Sequence, residues 1–264
     1  MRIIVCIKQV PATREVEIDP ESGTLLRQEV GNKTNVHDLY AIEKALCFRD
    51  VSGGTVTAIT MGPPQAEEVL RDAYAMGVDE CVLLCDRKFA GADVLATSYT
   101  LSQGIRLLGG FDLIFCGKQT TDGDTAQVGP ALAEHLSIPH IAWIRDIDKL
   151  SGSIRVTHDL SRTTQVSQAS LPCLVTVDSG CCVPRLPSYH LLKDVANCPI
   201  RVIAHSDLPD NGMTRYGLIG SPTTVRQTFS PAVTGKRQML EGDKAAEIFN
   251  ILEKRRFTTQ VTGK

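Results

Sequence analysis

Four times in its first 140 residues the chain passes from a short apolar-rich run to a stretch with helical spacing, and few folds accept that rhythm. The runs are RIIVCIKQV (residues 2–10), TVTAITMG (55–62), ECVLLC (80–85) and FDLIFCG (111–117). They are apolar on both alternating faces, as strands covered on both sides must be. Between them, Asn35 is placed to cap a helix with Leu39, Ile42, Ala45 and Leu46 on one face. Pro63 and Pro64 open a second, with Val69, Leu70, Ala73 and Met76 inward and Gly77 as its stop. A third is expected from about Asp93 to Leu108, and a fourth running to about Leu136. The pattern predicts an α/β protein: a Rossmann-like parallel sheet between two helix layers.

The rest of the chain is organised differently. EVEIDPESGTLLRQEV (15–30) alternates around a central ESG and predicts a short hairpin. From Ile141 to Val177 the segments HIAWIRDI, SIRVTHDL, RTTQVSQASL and LVTVD read as strands, expected to form a β-rich edge on the parallel sheet. Beyond Pro199 the chain is rich in Gly, Pro, Ser and Thr until a final helix from about Glu241 to Arg256. Residues 1–200 are therefore expected to form the α/β domain. Residues 201–264 are expected to be an extended C-terminal tail that drapes over that domain or docks on another chain.

Composition excludes several functions. A formal net charge of -2 offers no basic surface for nucleic acid. No apolar run reaches the roughly 18 residues of a membrane span, and MRIIVCIKQVP reads as a first strand, not a signal peptide. The nine cysteines are odd in number and mostly sit inside apolar runs, the pattern of free thiols in a reducing compartment, so a cytoplasmic location is expected. CxxC spacing is absent, and Cys81 and Cys85 flank an expected strand too extended to chelate easily, so no metal site is expected. The six histidines are scattered, and no Ser/His/Asp or Cys/His set can be assembled, so no catalytic residue is assigned. Cys181 and Cys182, in the polar turn SGCCVPRLPS, read as two free thiols of an exposed loop.

Ligands of open parallel sheets bind at the carboxyl ends of the strands. Those ends are Cys6-Ile7-Lys8-Gln9, Met61-Gly62-Pro63 and Gly117-Lys118-Gln119, with Asn35 to Asp38 opening the first helix nearby. The third continues as GKQTTDGDTAQVGP, from Gly117 to Pro130. Its Asp124-Thr125-Ala126-Gln127 has the spacing of a capping box, which predicts that the next helix starts there. A helix start is an anion site, yet Asp122 and Asp124 would repel phosphate if they faced it. They fit better as a cap or as acceptors for ribose or adenine. The segment lacks both a Walker loop and a GxGxxG fingerprint. Two readings stay open on residues alone: a plain βα turn, or a nucleotide-type site without a standard signature.

Taken in order, MRIIVCIKQVP, the Asn35 segment, ITMGPPQAEEVLRDAYAMGVDE and GKQTTDGDTAQVGP resemble the β subunit of electron transfer flavoproteins. GDTAQVGPALAEHL, KQVP, MGPP and the GSPTTV tail look like the electron-bifurcating type. The resemblance implies an adenine-nucleotide-binding fold and a subunit of a redox complex that pairs with an FAD-carrying α subunit. In the bifurcating type the β subunit holds a second FAD, takes electrons from NADH and serves a flavin-dependent dehydrogenase and ferredoxin. In other members it binds AMP at the same site and only supports electron transfer in the α subunit. Carried across, the cofactor site comprises Cys6, Asn35, Val36, His37, Asp38, Met61, Gly117, Lys118, Gln119, Thr120, Thr121, Asp122, Gly123, Asp124, Thr125, Ala126, Gln127 and Val128. The phosphates are expected to meet the helix N-terminus around Thr125 to Val128, with Asp122 and Asp124 turned away from them. LPCLVTVD with the prolines after it looks like the family's partner-recognition region. Two departures stand out: NVHD replaces the usual Asn-Pro, so a different helix start is expected there, and SGCCVPRLPSYHLLKDVANCP lacks the usual basic charge, which suggests a specialised partner.

Overall fold

The structure is a computed structural model that describes residues 1–12, 31–160, 162–225 and 244–255. It divides into two compact units, Met1–Gln227 and Thr228–Lys264. The first unit holds a seven-stranded sheet built from β1 (Arg2–Cys6), β4 (Thr55–Met61), β5 (Glu80–Leu84), β6 (Leu113–Gly117), β7 (His140–Ile144), β11 (Cys173–Val177) and β12 (Ile200–Ile203). The strand order is β12-β5-β4-β1-β6-β11-β7, and every neighbouring pair is parallel. A short ribbon pairs β2 (Gln9–Pro11) with β3 (Asn32–Thr34). The hairpin expected over residues 15–30 lies outside the described residues.

Period-two alternation decides which face each strand residue serves. Ile3 and Val5 of β1 pack with α1 (Val36–Ser52) and α2 (Glu67–Met76). Ile4 and Cys6 face the other way, toward α3 (Val94–Leu108) and α4 (Val128–Leu136). The expected inward residues Ile42, Ala45, Leu46, Val69, Leu70, Ala73 and Met76 are all buried, and Leu39 is partly buried against the same core. Each fully buried aliphatic side chain contributes about 1.5–3 kcal/mol. Gly77 ends α2 in the left-handed conformation with φ 106°, as its position predicts. α1 begins at Val36 directly after Asn35, so NVHD supports a helix start without a proline.

The β-rich segment corrects the sequence expectation. Only β7 and β11 join the large sheet, and both run parallel to it. Between them β8 (Asp146–Lys149), β9 (Ser153–Leu160) and β10 (Thr163–Ser170) form a separate antiparallel sheet. HIAWIRDI accordingly breaks in two at Arg145. The residues of β10 are mostly exposed and polar, so they have no apolar face to offer a buried sheet.

After β11 come α5 (Tyr189–Asp194) and then β12, the far edge of the sheet, so the sheet itself continues past residue 200. The chain next crosses the outer face of α3. Tyr216 is fully buried, its ring 5.8 Å from that of Phe89, 5.4 Å from Tyr99 and 4.8 Å from the His205 imidazole. Gly217 follows with φ 53°, and a Cβ there would lie 2.2 Å from the Lys88 carbonyl oxygen. This backbone fit turns the strap toward α3, where Asp93 accepts hydrogen bonds from Thr223 N (3.0 Å) and Thr223 Oγ1 (2.8 Å). In the second unit, α6 (Lys244–Lys254) lies within the expected final helix.

Gly217→Ala should therefore loosen the strap, because both the left-handed backbone and the Lys88 carbonyl oppose a side chain. We expect a loss of about 1–3 kcal/mol in equilibrium urea unfolding. An unchanged midpoint would show that the strap is not held at this residue.

Candidate functional site

From β1 the chain lays β4 and then β5 outward on one side, and returns to place β6 on the other. The reversal opens a crevice at the carboxyl ends of β1 and β6, the switch point where such sheets bind ligands. A cavity of about 490 Å³ lies there. Cys6, Ile7 and Lys8 from β1, Met61 from β4, and Cys116 and Gly117 from β6 form one part of its wall. Asp38 of α1, residues of the loop from Lys118 to Gln127, the starts of α3 and α4 and the strap residues Thr223 and Val225 form other parts of it.

The first turn of α1 ties these strand ends together. Asn35 is fully buried, and its side chain does not cap the helix as its position suggests. Its Nδ2 donates to the Gln119 carbonyl at 2.8 Å, and its Oδ1 accepts from Thr121 N at 3.3 Å. Its own N–H donates to the Lys8 carbonyl at 2.9 Å. Three residues on, the carboxylate of buried Asp38 accepts the Lys8 N–H at 2.8 Å. A Cβ on Gly117 would lie 2.3 Å from that carboxylate, so only glycine lets β6 pass so close. Burial pushes the Asp38 carboxyl up to about 7, although the Asn35 side chain and the amides of Lys8 and Gly117 favour its charged form.

The segment after β6 departs from the capping box. α4 begins only at Val128, its N-cap is Gln127, and no side chain caps it. Asp124 and Ala126 take left-handed backbone angles, φ 51° and 55°, so residues 124–127 form an irregular turn. The Asp124 carboxylate accepts from Gln119 Nε2 at 2.5 Å. Asp122 is gripped by Lys8 Nζ at 2.7 and 2.8 Å and accepts the N–H of Gly123. Burial opposes its ionisation, but Lys8 outweighs this and holds the carboxyl below its usual range. Neither aspartate lines the cavity. The two helix starts facing the cavity therefore differ: Asp93 occupies the N–H groups of Leu95 and Ala96 on α3, while on α4 no side chain caps the N–H groups of Val128 and Gly129, Pro130 having none.

Of the residues expected in the site, Cys6, Asp38, Met61, Gly117, Lys118, Gln119, Thr120, Gly123, Thr125, Ala126, Gln127 and Val128 line the cavity. Asn35, Val36, His37, Thr121, Asp122 and Asp124 do not; Asn35, Asp122 and Asp124 act on the loops behind it. Lys118 donates to Asp178 at 2.9 Å and lies 4.4 Å from the Trp143 ring centre, so its charge is already balanced. Burial and the Lys118 charge hold the neighbouring His37 imidazole below its usual range. The structure adds Asp93, Val94, Thr97 and Leu101 of α3 together with Thr223 and Val225. Strand-end logic could have found the start of α3, since it follows β5. Nothing local could have placed Thr223, about 130 residues away.

The matrix of known proteins agrees over most of the chain. Residues 22–208 match the family profile of the Electron transfer flavoprotein domain. The chain is 41% identical over 241 residues to the Electron transfer flavoprotein subunit beta of Clostridium acetobutylicum, covering 91% of this chain and 92% of that one. It is 42% identical over 252 residues to the Caffeyl-CoA reductase-Etf complex subunit CarD of Acetobacterium woodii, covering 94% and 95%. With the Acryloyl-CoA reductase electron transfer subunit gamma of Anaerotignum propionicum it shares 40% identity over 263 residues, covering 96% and 97%.

The buried Asp38 carboxyl gives the site a pH signature. Its folded value, about 7, lies above the ordinary carboxyl value, so its protonated form is the one the fold prefers. The folded state then binds the extra proton, and this contribution to stability is complete below pH ~4 and lost as pH rises through ~7. Asp38→Asn should remove that dependence. Relative to the parent, the variant should gain stability between pH 4 and 7 by at most about 1.4 kcal/mol per pH unit, with no further change above ~8. Parallel unfolding curves across this window measure it, and a constant difference would refute the assignment.

Proposed function

The chain belongs to the electron transfer flavoprotein family, within its β subunits, and on that premise we propose that it pairs with an α subunit and holds FAD in the crevice between β1 and β6. In this reading it takes electrons from NADH and bifurcates them toward a flavin-dependent dehydrogenase and ferredoxin. The observation that carries the cofactor assignment is the uncapped start of α4 facing a 490 Å³ cavity from which Asp122 and Asp124, the aspartates of the loop before it, are withdrawn, while Asp38 and Asp93 line it. That volume lies within the ~300–1,000 Å³ of small-molecule sites.

When bound, the flavin supplies the redox chemistry, and the protein supplies binding, orientation and electrostatics. The first-turn N–H groups of α4 would hold the phosphates. Asp122 and Asp124, tied to Lys8 and Gln119, are kept from repelling them. Asn35 would fix residues 119–121 as the wall of the site, and Thr223 would carry the strap to its rim. Cys6, Met61 and Leu101 give that wall apolar surface.

The names of two relatives couple them to caffeyl-CoA and acryloyl-CoA reductases, which supports an acyl-CoA-type dehydrogenase as the partner here. The face we assign to it follows β11: Val183, Leu186 and Tyr189 are each at least 75% exposed. The part that docks on the α subunit is assigned to the unit beyond residue 227. There α6 exposes Ile248, Phe249 and Leu252. All nine cysteines are free, which supports a reducing, cytoplasmic setting.

Counting nucleotides in the purified αβ pair tests the cofactor. Two FAD per pair, by absorbance after release, is the expected result. One FAD with one AMP, identified chromatographically, would reduce this subunit to a structural role. Separately, Asn35→Ala leaves the Gln119 carbonyl and the Thr121 amide without their partner, at a cost of about 1–3 kcal/mol. Titration calorimetry with AMP as the probe should show binding weakened roughly 5- to 150-fold. Undiminished affinity would remove Asn35 from the site.

A further inference from the structure

Two adjacent thiols are left without a role by the nucleotide site. Cys181 and Cys182 follow β11, with their sulfurs 3.7 Å apart and both residues half-buried. Cys182 Sγ also lies 4.0 Å from the Tyr40 carbonyl on α1. Cys85 and Cys198 are also half-buried, with Cys198 Sγ 3.6 Å from the Asp194 carbonyl. Cys6, Cys81, Cys116 and Cys173 are buried, and the Cys47 thiol donates to Glu43 at 3.0 Å. We propose that Cys181 and Cys182 form a reversible redox pair, closed to a disulfide by a hydroperoxide, that resets the exposed segment 183–192.

The pair is chemically asymmetric, as such a reaction requires. Hydrogen bonding from the Cys182 thiol brings Cys181 down to about 7, with Lys44 assisting and burial opposing. Cys182 is displaced upward by the same hydrogen bond and by burial. Cys181 is therefore the thiolate nucleophile and Cys182 the resolving thiol. The Cys181 sulfur attacks the hydroperoxide, forming an S–O bond as the O–O bond breaks and an alcohol (water, from hydrogen peroxide) leaves. The Cys182 sulfur then attacks the Cys181 sulfur, the S–O bond breaks, and water departs with the thiol proton. Two thiols and one hydroperoxide thus give one disulfide, one alcohol and one water.

Reversibility follows from the spacing along the chain. Neighbouring Cα atoms are ~3.8 Å apart across a trans peptide, shorter than the usual ~4.4–6.8 Å of a disulfide. The closed ring is therefore strained, and strained disulfides are the readily reduced ones. The consequences reach the next residues directly. Arg185, three residues on, is anchored to α1: its N–H and Nε bond to Glu43 at 2.8 and 2.9 Å, and Nη2 lies 3.3 Å from Asp50. Ring closure would strain the short link between Cys182, near Tyr40, and this clamp, which carries Val183 and leads into Leu186 and Tyr189. That the segment is a docking face rests on the preceding functional reading, but the thiol chemistry does not.

The test treats the full chain with hydrogen peroxide, alkylates the remaining thiols and maps peptides by mass. The expected product is loss of two hydrogens from the peptide holding both cysteines, restored by dithiothreitol and absent from Cys182→Ser. Amide exchange over residues 183–192 should change in the oxidised parent and return on reduction. Free, alkylatable Cys181 and Cys182 after oxidation of other thiols would overturn the pairing. A disulfide with unchanged exchange would overturn the coupling. Neither result bears on the nucleotide count, so this proposal and the cofactor assignment fail separately.

Discussion

The buried polar start of α1 is the constraint on which the crevice between β1 and β6 depends. Asn35 and Asp38 are both sequestered from solvent, where an unpaired polar group is costly. Asn35 meets this cost by bridging Lys8 on one side and Gln119 and Thr121 on the other. Asp38 accepts the N–H of the same Lys8. Two strands that are neighbours in space, but more than 100 residues apart in sequence, are thereby held at one fixed opening. Gly117 is part of the same arrangement, because its missing side chain is the room that Asp38 occupies.

The same helix reaches the other surface of interest. One turn beyond Asp38, Glu43 is buried beneath Arg185. Burial opposes its charge, but the guanidinium and the Arg185 amide hold its carboxyl below the usual range. Such a pair is valuable mainly for position, since the desolvation of both charges offsets much of their attraction. α1 thus fixes the crevice at its start and the segment carrying the exposed apolar residues along its side.

Around α4 the aspartates of the preceding turn are held by partners of their own. Bare carboxylates beside a phosphate would repel it strongly in a partly desolvated crevice. Here Lys8 neutralises one and a glutamine amide binds the other. The helix start, with no side chain competing for its N–H groups, retains its partial positive charge.

Period and punctuation alone determined the alternation of strands and helices, the inward faces of α1 and α2, the stop at Gly77 and the three strand ends that meet at the crevice. These are local properties, set by side-chain periodicity and by backbone preferences that act over a few residues. Only the tertiary structure decided that Asn35 bridges loops instead of capping its helix, that Asp124 to Gln127 form a left-handed turn instead of a capping box, and that residues 146–170 leave the main sheet. It also brought Thr223 to Asp93. In each case a polar group had several partners within chemical reach, and the packed strands and helices determined which of them came within hydrogen-bonding distance.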